Sequence, residues 1–392
     1  MGKGQRQKDV LRSSISPIEN AMMMPIDLLV EILLRLSVVD IARCRCVSKL
    51  WYSILRRPDF TELFLKLSST KPRILLAFEN NDKVMFYSVP QDRDPTLTTS
   101  HVVPYYHMSF PKGMTGYTFV ICTPVRGLVC SKTKKPMIYN PSTGEYITLP
   151  IATRKRVEMK TYLGYDPIDK IFKVLGVTYD DYACRGLTLC SLGTKEVTWR
   201  NIECAIPHIP LRPSEICING VLYYLAKYVL GCEDPDKFMV VCFDIRSEKF
   251  KFLLDVDYEL SLSVLIDYQG TLGALWPGPF DFDGRGTRII KLWVLEDGDE
   301  MKWSETVYKL PYYWRFLAPG GIRINIVGMN ARGEIVLSSF HLRDTVYIIY
   351  YDVVKKTTTS VEIHFGKVAS EAPGSWLYTF VNHVANVELL MG

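Results

Sequence analysis

Between Arg73 and the C-terminus, short stretches rich in β-branched and aromatic residues alternate with turns that contain glycine or Asx residues. The same kind of turn recurs between two strand-like stretches at Asn219-Gly220, Gln269-Gly270 and Arg332-Gly333. Glycine supplies the positive φ that tight turns need, and paired stretches of this length are typical of antiparallel strands. Because the pattern repeats, it favours a fold assembled from similar four-stranded units.

A second recurring element is an aromatic residue followed by Asn or Asp, placed before the last strand of a unit; its instances are Tyr139-Asn140, Phe243-Asp244 and Tyr351-Asp352. Five units can be traced, over 119–149, 162–202, 215–254, 262–310 and 322–363. Arg73–Val89 and Gly374–Val387 are expected to form a sixth, since closing the ring with strands from both ends removes exposed sheet edges. The sequence thus predicts a mainly β fold, a six-bladed β-propeller, with a β-sandwich as the alternative.

Composition and charge exclude several classes of protein. The 10 cysteines form no Cys-x-x-Cys pair and are interpreted as reduced thiols, and none of the 6 histidines has metal-ligand spacing, so no metal or cofactor is expected. The formal net charge of +5 does not indicate nucleic-acid binding. The sequence shows no signal peptide and no apolar run of membrane-spanning length, which predicts a cytoplasmic and/or nuclear protein without membrane partners.

Four local clusters receive plain interpretations. Asp281–Gly286 superficially resembles a calcium or phosphate loop but lacks the later acidic ligand of the first and the Lys-Ser/Thr of the second, so it is interpreted as a loop within a blade. Arg154–Arg156 and Glu296–Glu300 are interpreted as solvated loops. His101 and His107 are expected in a long loop over 90–118, as a surface cluster.

Residues 24–60 differ from the rest because their apolar residues have helical spacing. Leu28, Ile32 and Leu36 recur at i, i+4 and i+8, which predicts a helix with a wide apolar stripe. Pro25 suits the first helical position, where its missing N–H costs nothing.

Two further short helices are predicted, over Val39–Val47 and after Ser48, which is placed to cap the third helix before Pro58 ends it. Three helices in so short a stretch hold more large apolar side chains than they can bury among themselves. The surplus predicts a docking site for a partner.

This stretch closely resembles an F-box through Met24-Pro25, Leu28-Leu29, Glu31-Ile32-Leu33, Arg35-Leu36, Arg45–Lys49, Trp51, Pro58 and Phe60, although Ser37 stands where the family usually has proline. The resemblance implies docking to a Skp-family adaptor and, through it, to the cullin and RING subunits of a ubiquitin ligase. The residues that it implies as adaptor contacts or their immediate support are Pro25, Leu28, Ile32, Leu33, Leu36, Ile41, Val47 and Trp51.

The remainder resembles the F-box-associated domain of plant F-box proteins through an ordered set of motifs: Gly127–Cys130, Tyr139–Glu145, Gly164–Pro167, Phe172–Val174, Trp199-Arg200 and Ile218–Tyr223. This implies kelch-like folding and recruitment of a target protein that the sequence does not name. Binding residues of propellers usually lie on loops held by a rigid scaffold, so substrate contacts are expected, without single residues being chosen, in the loops 90–118, 179–186, 227–238 and 277–287.

The predicted organisation is a disordered tail (1–22), a helical F-box domain (23–67), a hinge (68–72) and the propeller (73–390). The function expected is that of a non-catalytic adaptor that brings a target to the ligase. Two alternatives stay open: an F-box protein that binds its adaptor without directing degradation, and an enzyme that uses an acid/base pair in the centre of the propeller.

Overall fold

A helical bundle and a ring of β-sheets make up the part of the chain that a computed structural model describes. The described residues are 24–81, 83–92, 99–102, 105–111, 120–132, 135–151, 158–180, 184–193, 197–228, 237–278, 289–298, 300–311 and 322–390. The tail predicted at 1–22 lies outside them.

The bundle consists of α1 (Ile26–Leu34), α2 (Val38–Cys44), α3 (Lys49–Leu55) and α4 (Pro58–Ser69). The Oγ atoms of Ser37 and Ser48 accept hydrogen bonds of 3.2 Å from the backbone N–H groups of Asp40 and Trp51, so both serines cap helices and the predicted cap at Ser48 is confirmed. The buried side chains that hold the bundle together are Leu29, Leu33, Ile41, Ile54, Leu55, Phe60, Phe64 and Val387.

The fourth helix corrects the prediction of three. Pro58 does not merely follow the third helix; it is the first residue of α4, where proline's fixed φ and missing N–H are well tolerated. Pro25, expected inside α1, is instead its N-cap residue. Because α4 continues to Ser69, only residues 70–72 of the proposed hinge lie between the last helix and the first strand.

The strands follow in chain order: β1 (Arg73–Asn80), β2 (Lys83–Pro90), β3 (Thr99–Val102), β4 (Tyr105–Pro111), β5 (Val129–Cys130), β6 (Met137–Asn140), β7 (Glu145–Thr148), β8 (Glu158–Asp166), β9 (Ile171–Tyr179), β10 (Cys184–Ser191), β11 (Trp199–Ile202), β12 (His208–Ile218), β13 (Val221–Tyr228), β14 (Lys237–Asp244), β15 (Phe250–Leu253), β16 (Val264–Tyr268), β17 (Thr271–Trp276), β18 (Ile289–Asp297), β19 (Lys302–Lys309), β20 (Ile324–Met329), β21 (Glu334–Ser339), β22 (Thr345–Asp352), β23 (Thr357–His364) and β24 (Tyr378–His383). Two short helices lie among them, α5 (Tyr258–Ser261) and α6 (Lys367–Glu371).

Hydrogen bonds order these strands into six sheets: β24-β1-β2-β4, β5-β6-β7, β8 to β11, β12 to β15, β16 to β19, and β20-β21-β22-β23-β3. Each sheet shares a buried apolar cluster with the next, and the sixth packs on the first through residues such as Ile348 and Phe78. The ring is therefore closed, and the predicted six-bladed β-propeller is confirmed.

The first blade joins the two ends of the propeller. Strand β24 pairs antiparallel with β1, with Phe380 opposite Leu75 and Tyr378 opposite Ala77. The N-terminal strands thus supply the outer part of this blade and the C-terminal strand its innermost position. The prediction that Arg73–Val89 and Gly374–Val387 form one blade is confirmed. The pairing with β24 covers the inner edge of β1.

The segment 90–118, predicted as a long loop, contains two strands instead. Strand β3 pairs in parallel with β23 of the sixth blade, and β4 is the outer strand of the first blade. His101 and His107 accordingly lie on strands. Proline at the end of β4, Pro111, is compatible with an edge strand because such a strand leaves some N–H groups unpaired in any case.

The recurring turns have the geometry that their sequences predict. Gly220 and Gly270 have φ values of +85° and +87°. The Asn140 Oδ1 atom accepts hydrogen bonds from the N–H groups of Ser142 and Thr143 at 3.0 and 3.3 Å, so this Asx residue does bond its own turn.

The two faces of the propeller carry different connections. Because neighbouring strands of a blade are antiparallel, turns that join its first and second or third and fourth strands lie on one face. We call it the helix face, since the turn at Val125–Leu128 contacts α4 there. The far face carries the connections between second and third strands and from blade to blade.

The bundle is fixed to the helix face through the segment after β24. Val387 is fully buried in the bundle core, and its carbonyl accepts a hydrogen bond from the Arg45 guanidinium. The Ser68 Oγ atom accepts one from the Ala385 N–H at 2.8 Å. Gly127 allows the close approach, since its φ is +83° and a Cβ atom there would lie 2.5 Å from the Val384 carbonyl oxygen.

Candidate functional site

The bundle leaves a large apolar surface uncovered. More than half of the large hydrophobic side chains that are exposed among the described residues belong to it. They are Met24, Ile26, Leu28, Ile32, Val39, Val47, Leu50, Tyr52, Leu63 and Leu67. Leu28 is 51%, Ile32 43% and Val47 62% exposed, which is costly in water unless a partner covers them.

Charged side chains of the bundle form ion pairs with oppositely charged neighbours in the sequence. Arg57 forms two hydrogen bonds with Asp59, and these bonds hold the pKa of the Asp59 carboxyl below its ordinary value. Arg43 contacts Asp40 at 3.2 Å at the start of α2. Such exposed pairs add little stability, so the apolar side chains dominate what this surface offers to a partner.

The far face of the propeller is the second surface. The strand ends that flank three of the predicted binding loops, 179–186, 227–238 and 277–287, lie on this face, because each pair of flanking strands is the second and third of a blade. The residues 112–119, 181–183, 229–236 and 279–288 lie outside the described part of the chain. The two surfaces therefore lie on opposite sides of the ring.

Comparison with known proteins matches this two-part architecture. Residues 22–63 match the F-box domain, and residues 73–384 match the F-box associated beta propeller domain. F-box protein At3g47030 of Arabidopsis thaliana is 47% identical to the chain over 100% of its length and 96% of the relative's own length. The chain belongs to the plant F-box proteins.

Two further relatives also match this chain over nearly its whole length. F-box protein At5g65850 of Arabidopsis thaliana is 38% identical, over 98% of this F-box protein and 95% of the relative. E3 ubiquitin-protein ligase SGIP1 of the same organism is 39% identical, over 97% of this chain and 98% of the relative. The similarity thus extends across both the F-box and the propeller.

The structure separates the predicted adaptor residues into two groups. Leu33 and Ile41 have no exposed surface and belong to the core of the F-box, so they qualify as support. The others are exposed or half-buried; these are Pro25, Leu28, Ile32, Leu36, Val47 and Trp51. That these residues contact an adaptor stays a prediction.

Sequence reasoning missed other exposed apolar residues of the F-box. Leu63 and Leu67 lie one turn apart on α4, and both are more than 40% exposed. Their i, i+4 spacing was the available signal, but it has meaning only once α4 is recognised as a helix.

An acid and a base do meet near the centre of the propeller. The Lys132 ammonium donates a hydrogen bond to Glu215 Oε2, and the Thr123 N–H donates to Glu215 Oε1 at 2.9 Å. The side chains of Lys132 and Glu215 are only 2% and 4% exposed. The pair connects the second and fourth blades and is closed to solvent, so it offers a substrate neither a free acid nor a free base.

The structure describes only part of the remaining predicted clusters. Asp281–Gly286 and Arg154–Arg156 lie outside the described residues. Glu296, at the acidic turn, pairs with Lys302 at 2.8 Å. Where the structure describes the chain, no three His, Cys, Asp or Glu side chains are grouped as metal ligands, and no described helix is long and apolar enough to cross a membrane.

Proposed function

We propose that this F-box protein is the non-catalytic substrate-recruiting subunit of an SCF-type (Skp–cullin–F-box) E3 ubiquitin ligase. In this proposal the F-box binds a Skp-family adaptor and the far face of the propeller binds a target protein. The cullin and RING subunits then join through the adaptor, and ubiquitin is transferred by other subunits.

The observation that supports the adaptor step is the exposed apolar surface of the F-box. Leu28 and Ile32 lie one helical turn apart on α1 with about half of each side chain in water, while Leu29 and Leu33 face the core. Because α1 carries apolar residues on two faces, we expect one face to be buried within the F-box and the other to be buried against a partner.

The arrangement of the two surfaces supports the recruiting step. The F-box occupies one face of the ring and the far face is free of it, so adaptor and target would not compete for space. The propeller then acts by proximity, because holding a target near the ligase raises its effective concentration there.

A binding assay with a purified Skp-family adaptor tests the proposal. We expect the full chain to bind, and Leu28→Asp/Ile32→Asp to lose at least about a hundredfold in affinity, since two carboxylates would enter an apolar interface. Leu33 is unsuitable for this test because its replacement would unfold the F-box. A matched control is Val354→Asp/Met301→Asp, which adds the same charges at exposed apolar positions of propeller turns.

Equal binding by the wild type and the Leu28→Asp/Ile32→Asp variant would place the adaptor elsewhere, and no binding by either would refute the role. Degradation is tested separately, by comparing the half-lives of cellular proteins in the presence of the wild type and of the variant that does not bind. If no half-life differs, the chain binds its adaptor without directing degradation.

A further inference from the structure

The hydrophobic core of the F-box includes a residue from the C-terminal segment of the chain. Val387 lies four residues after His383, where β24 ends, and its side chain has no exposed surface. It belongs to the same buried cluster as Leu29 and Leu33 of α1, and the other described buried residues of that cluster come from α1 to α4. A helical module this small buries little apolar surface by itself. One fully buried valine is therefore a sizeable part of what holds the bundle together.

Polar contacts attach the same segment to the F-box at two separate places. The Arg45 guanidinium, in the turn after α2, donates a hydrogen bond to the Val387 carbonyl oxygen. The Ser68 Oγ atom, in the last turn of α4, accepts a hydrogen bond of 2.8 Å from the Ala385 N–H. Ala385 also packs against the core of the bundle. The segment 384–388 is thus held by backbone hydrogen bonds as well as by the Val387 side chain.

These contacts lie directly behind the exposed apolar surface that is proposed to bind the adaptor. Ile32 is 43% exposed, whereas Leu33, the next residue of α1, is buried in one cluster with Val387. Val47 is 62% exposed and lies in the same turn as Arg45. Val387 therefore supports α1 through its side chain and the turn through its carbonyl group. Its side chain makes no contact with an adaptor on this surface, because it is fully buried.

The position of Val387 depends in turn on the propeller. The Asn140 side-chain amide, at the end of β6, donates hydrogen bonds of 3.2 and 2.9 Å to the carbonyl oxygens of Asn386 and Glu388. The Asn386 side-chain amide donates one of 2.8 Å to the Arg126 carbonyl oxygen. The segment reaches this place directly from β24, whose pairing with β1 closes the first blade. A closed propeller thus presents Val387 to the F-box.

We propose that Val387 is a positioning residue for adaptor binding: the F-box reaches its adaptor-binding conformation only when the closed propeller inserts this side chain into the helical core. The inference rests on the proposed function as a substrate-recruiting subunit and adds a selection step to it. A chain whose β24 has not joined β1 presents a loosened F-box and is excluded from the ligase. Its apparent affinity for the adaptor falls in proportion to the fraction of chains in the binding conformation.

Two matched substitutions in the full chain test this. Val387→Ala shortens a side chain in the core of the F-box, and Val240→Ala makes the same change in the core of the propeller, at a position that also has no exposed surface. We expect Val387→Ala to weaken binding of a purified Skp-family adaptor about tenfold, and Val240→Ala to change it less than about twofold. An equal loss in both variants would mean a general effect of destabilisation and would overturn the proposal.

The rate constants of adaptor binding distinguish positioning from direct contact. Loss of a contact mainly raises the dissociation rate constant, whereas a smaller population of the binding conformation lowers the association rate constant. For Val387→Ala we expect the association rate constant to fall about tenfold and the dissociation rate constant to change less than about twofold. A loss confined to dissociation would contradict a positioning role.

Removal of the whole segment is the second form of the test. A chain that ends at His383 keeps all of β24 and is expected to bind the adaptor at least about tenfold more weakly than the wild type. The matched control ends at Leu390 and is expected to bind within about twofold of the wild type. If the wild type and the chain ending at His383 bind equally, only this inference fails. If the wild type itself does not bind, the proposed function fails and this inference fails with it.

Discussion

Arg126 of the propeller and Glu62 of the F-box form an ion pair of 2.6 Å across the boundary between the two domains. The Arg126 guanidinium also lies 4.4 Å above the ring of Tyr165, whose hydroxyl donates a hydrogen bond of 3.4 Å to the same Glu62 carboxylate. Close by, Val387 enters the core of the F-box. The F-box is thus fixed to the propeller by contacts between residues that are far apart in the sequence. The short linker at 70–72 is not its only attachment.

We predict that Val387→Asp loosens this attachment. The variant places an unpaired carboxylate in a fully buried apolar cluster, which costs several kcal/mol. Limited digestion with proteinase K, a protease of broad specificity, should then cleave around the linker at 70–72 faster than in the wild type, releasing an intact propeller. Val354→Asp, at a position 85% exposed, is the control and should be cleaved at the wild-type rate. Unchanged cleavage of Val387→Asp would show that the contact does not hold the domains together.

Breaking the buried pair of Lys132 and Glu215 is predicted to be costly. Glu215→Gln leaves the Lys132 ammonium buried without its counter-charge, and we expect a loss of about 3–5 kcal/mol in the free energy of unfolding, measured in urea. Lys132→Met/Glu215→Leu removes both charges while keeping apolar volume, and should cost clearly less than the single change. A double variant less stable than Glu215→Gln would contradict the buried-pair explanation.

The burial of His208 predicts that the free energy of unfolding depends on pH. His208 is buried and accepts a hydrogen bond at Nε2 from the Tyr224 hydroxyl at 2.7 Å, while Nδ1 lies 2.8 Å from the Ile206 carbonyl oxygen and donates to it. Burial lowers the pKa of His208 below its ordinary value of 6.5. The folded state therefore binds this proton less readily than the unfolded chain, and the contribution of His208 is complete above pH 6.5 and is lost as the pH falls toward its folded pKa.

The check is to measure urea unfolding of the wild type and His208→Gln at pH 7.5 and pH 5.5. The stability advantage of the wild type should shrink by roughly 1 kcal/mol at the lower pH. Subtracting the variant cancels the titration of other groups. An advantage that stays constant between the two pH values would mean that His208 does not carry the effect.

The blades were predictable from sequence because their signals are local. A turn such as Asn219-Gly220 is specified by adjacent residues, and the alternation of the flanking strands needs no distant partner. Strand β3 lacks such a signal, since it forms only by pairing with β23, more than 250 residues later in the chain. Strand β3 forms only in the closed ring, where β23 lies beside it. The residues of β3 alone do not specify that pairing.

The F-box surface shows a different limit. Leu28, Leu29, Ile32 and Leu33 are all apolar, so periodicity alone identifies the helix but not which side faces the core. Only packing against α4 and Val387 decides that Leu33 is buried and Leu28 is exposed. The sequence analysis interpreted Pro58 as the end of a helix and therefore did not predict α4. Without α4, it could not tell which face of α1 is buried.

Closure of the first blade by β24 has a consequence for synthesis of the protein. A ribosome completes β1 long before β24, and at 5–20 residues per second the interval is roughly 15 to 60 s. Throughout it, the inner edge of β1 is an unpaired strand in a nascent chain, able to bond to any other extended segment. This edge stays unpaired until β24 has been synthesised, and a message that ends a few codons before Tyr378 would yield a ring that never closes.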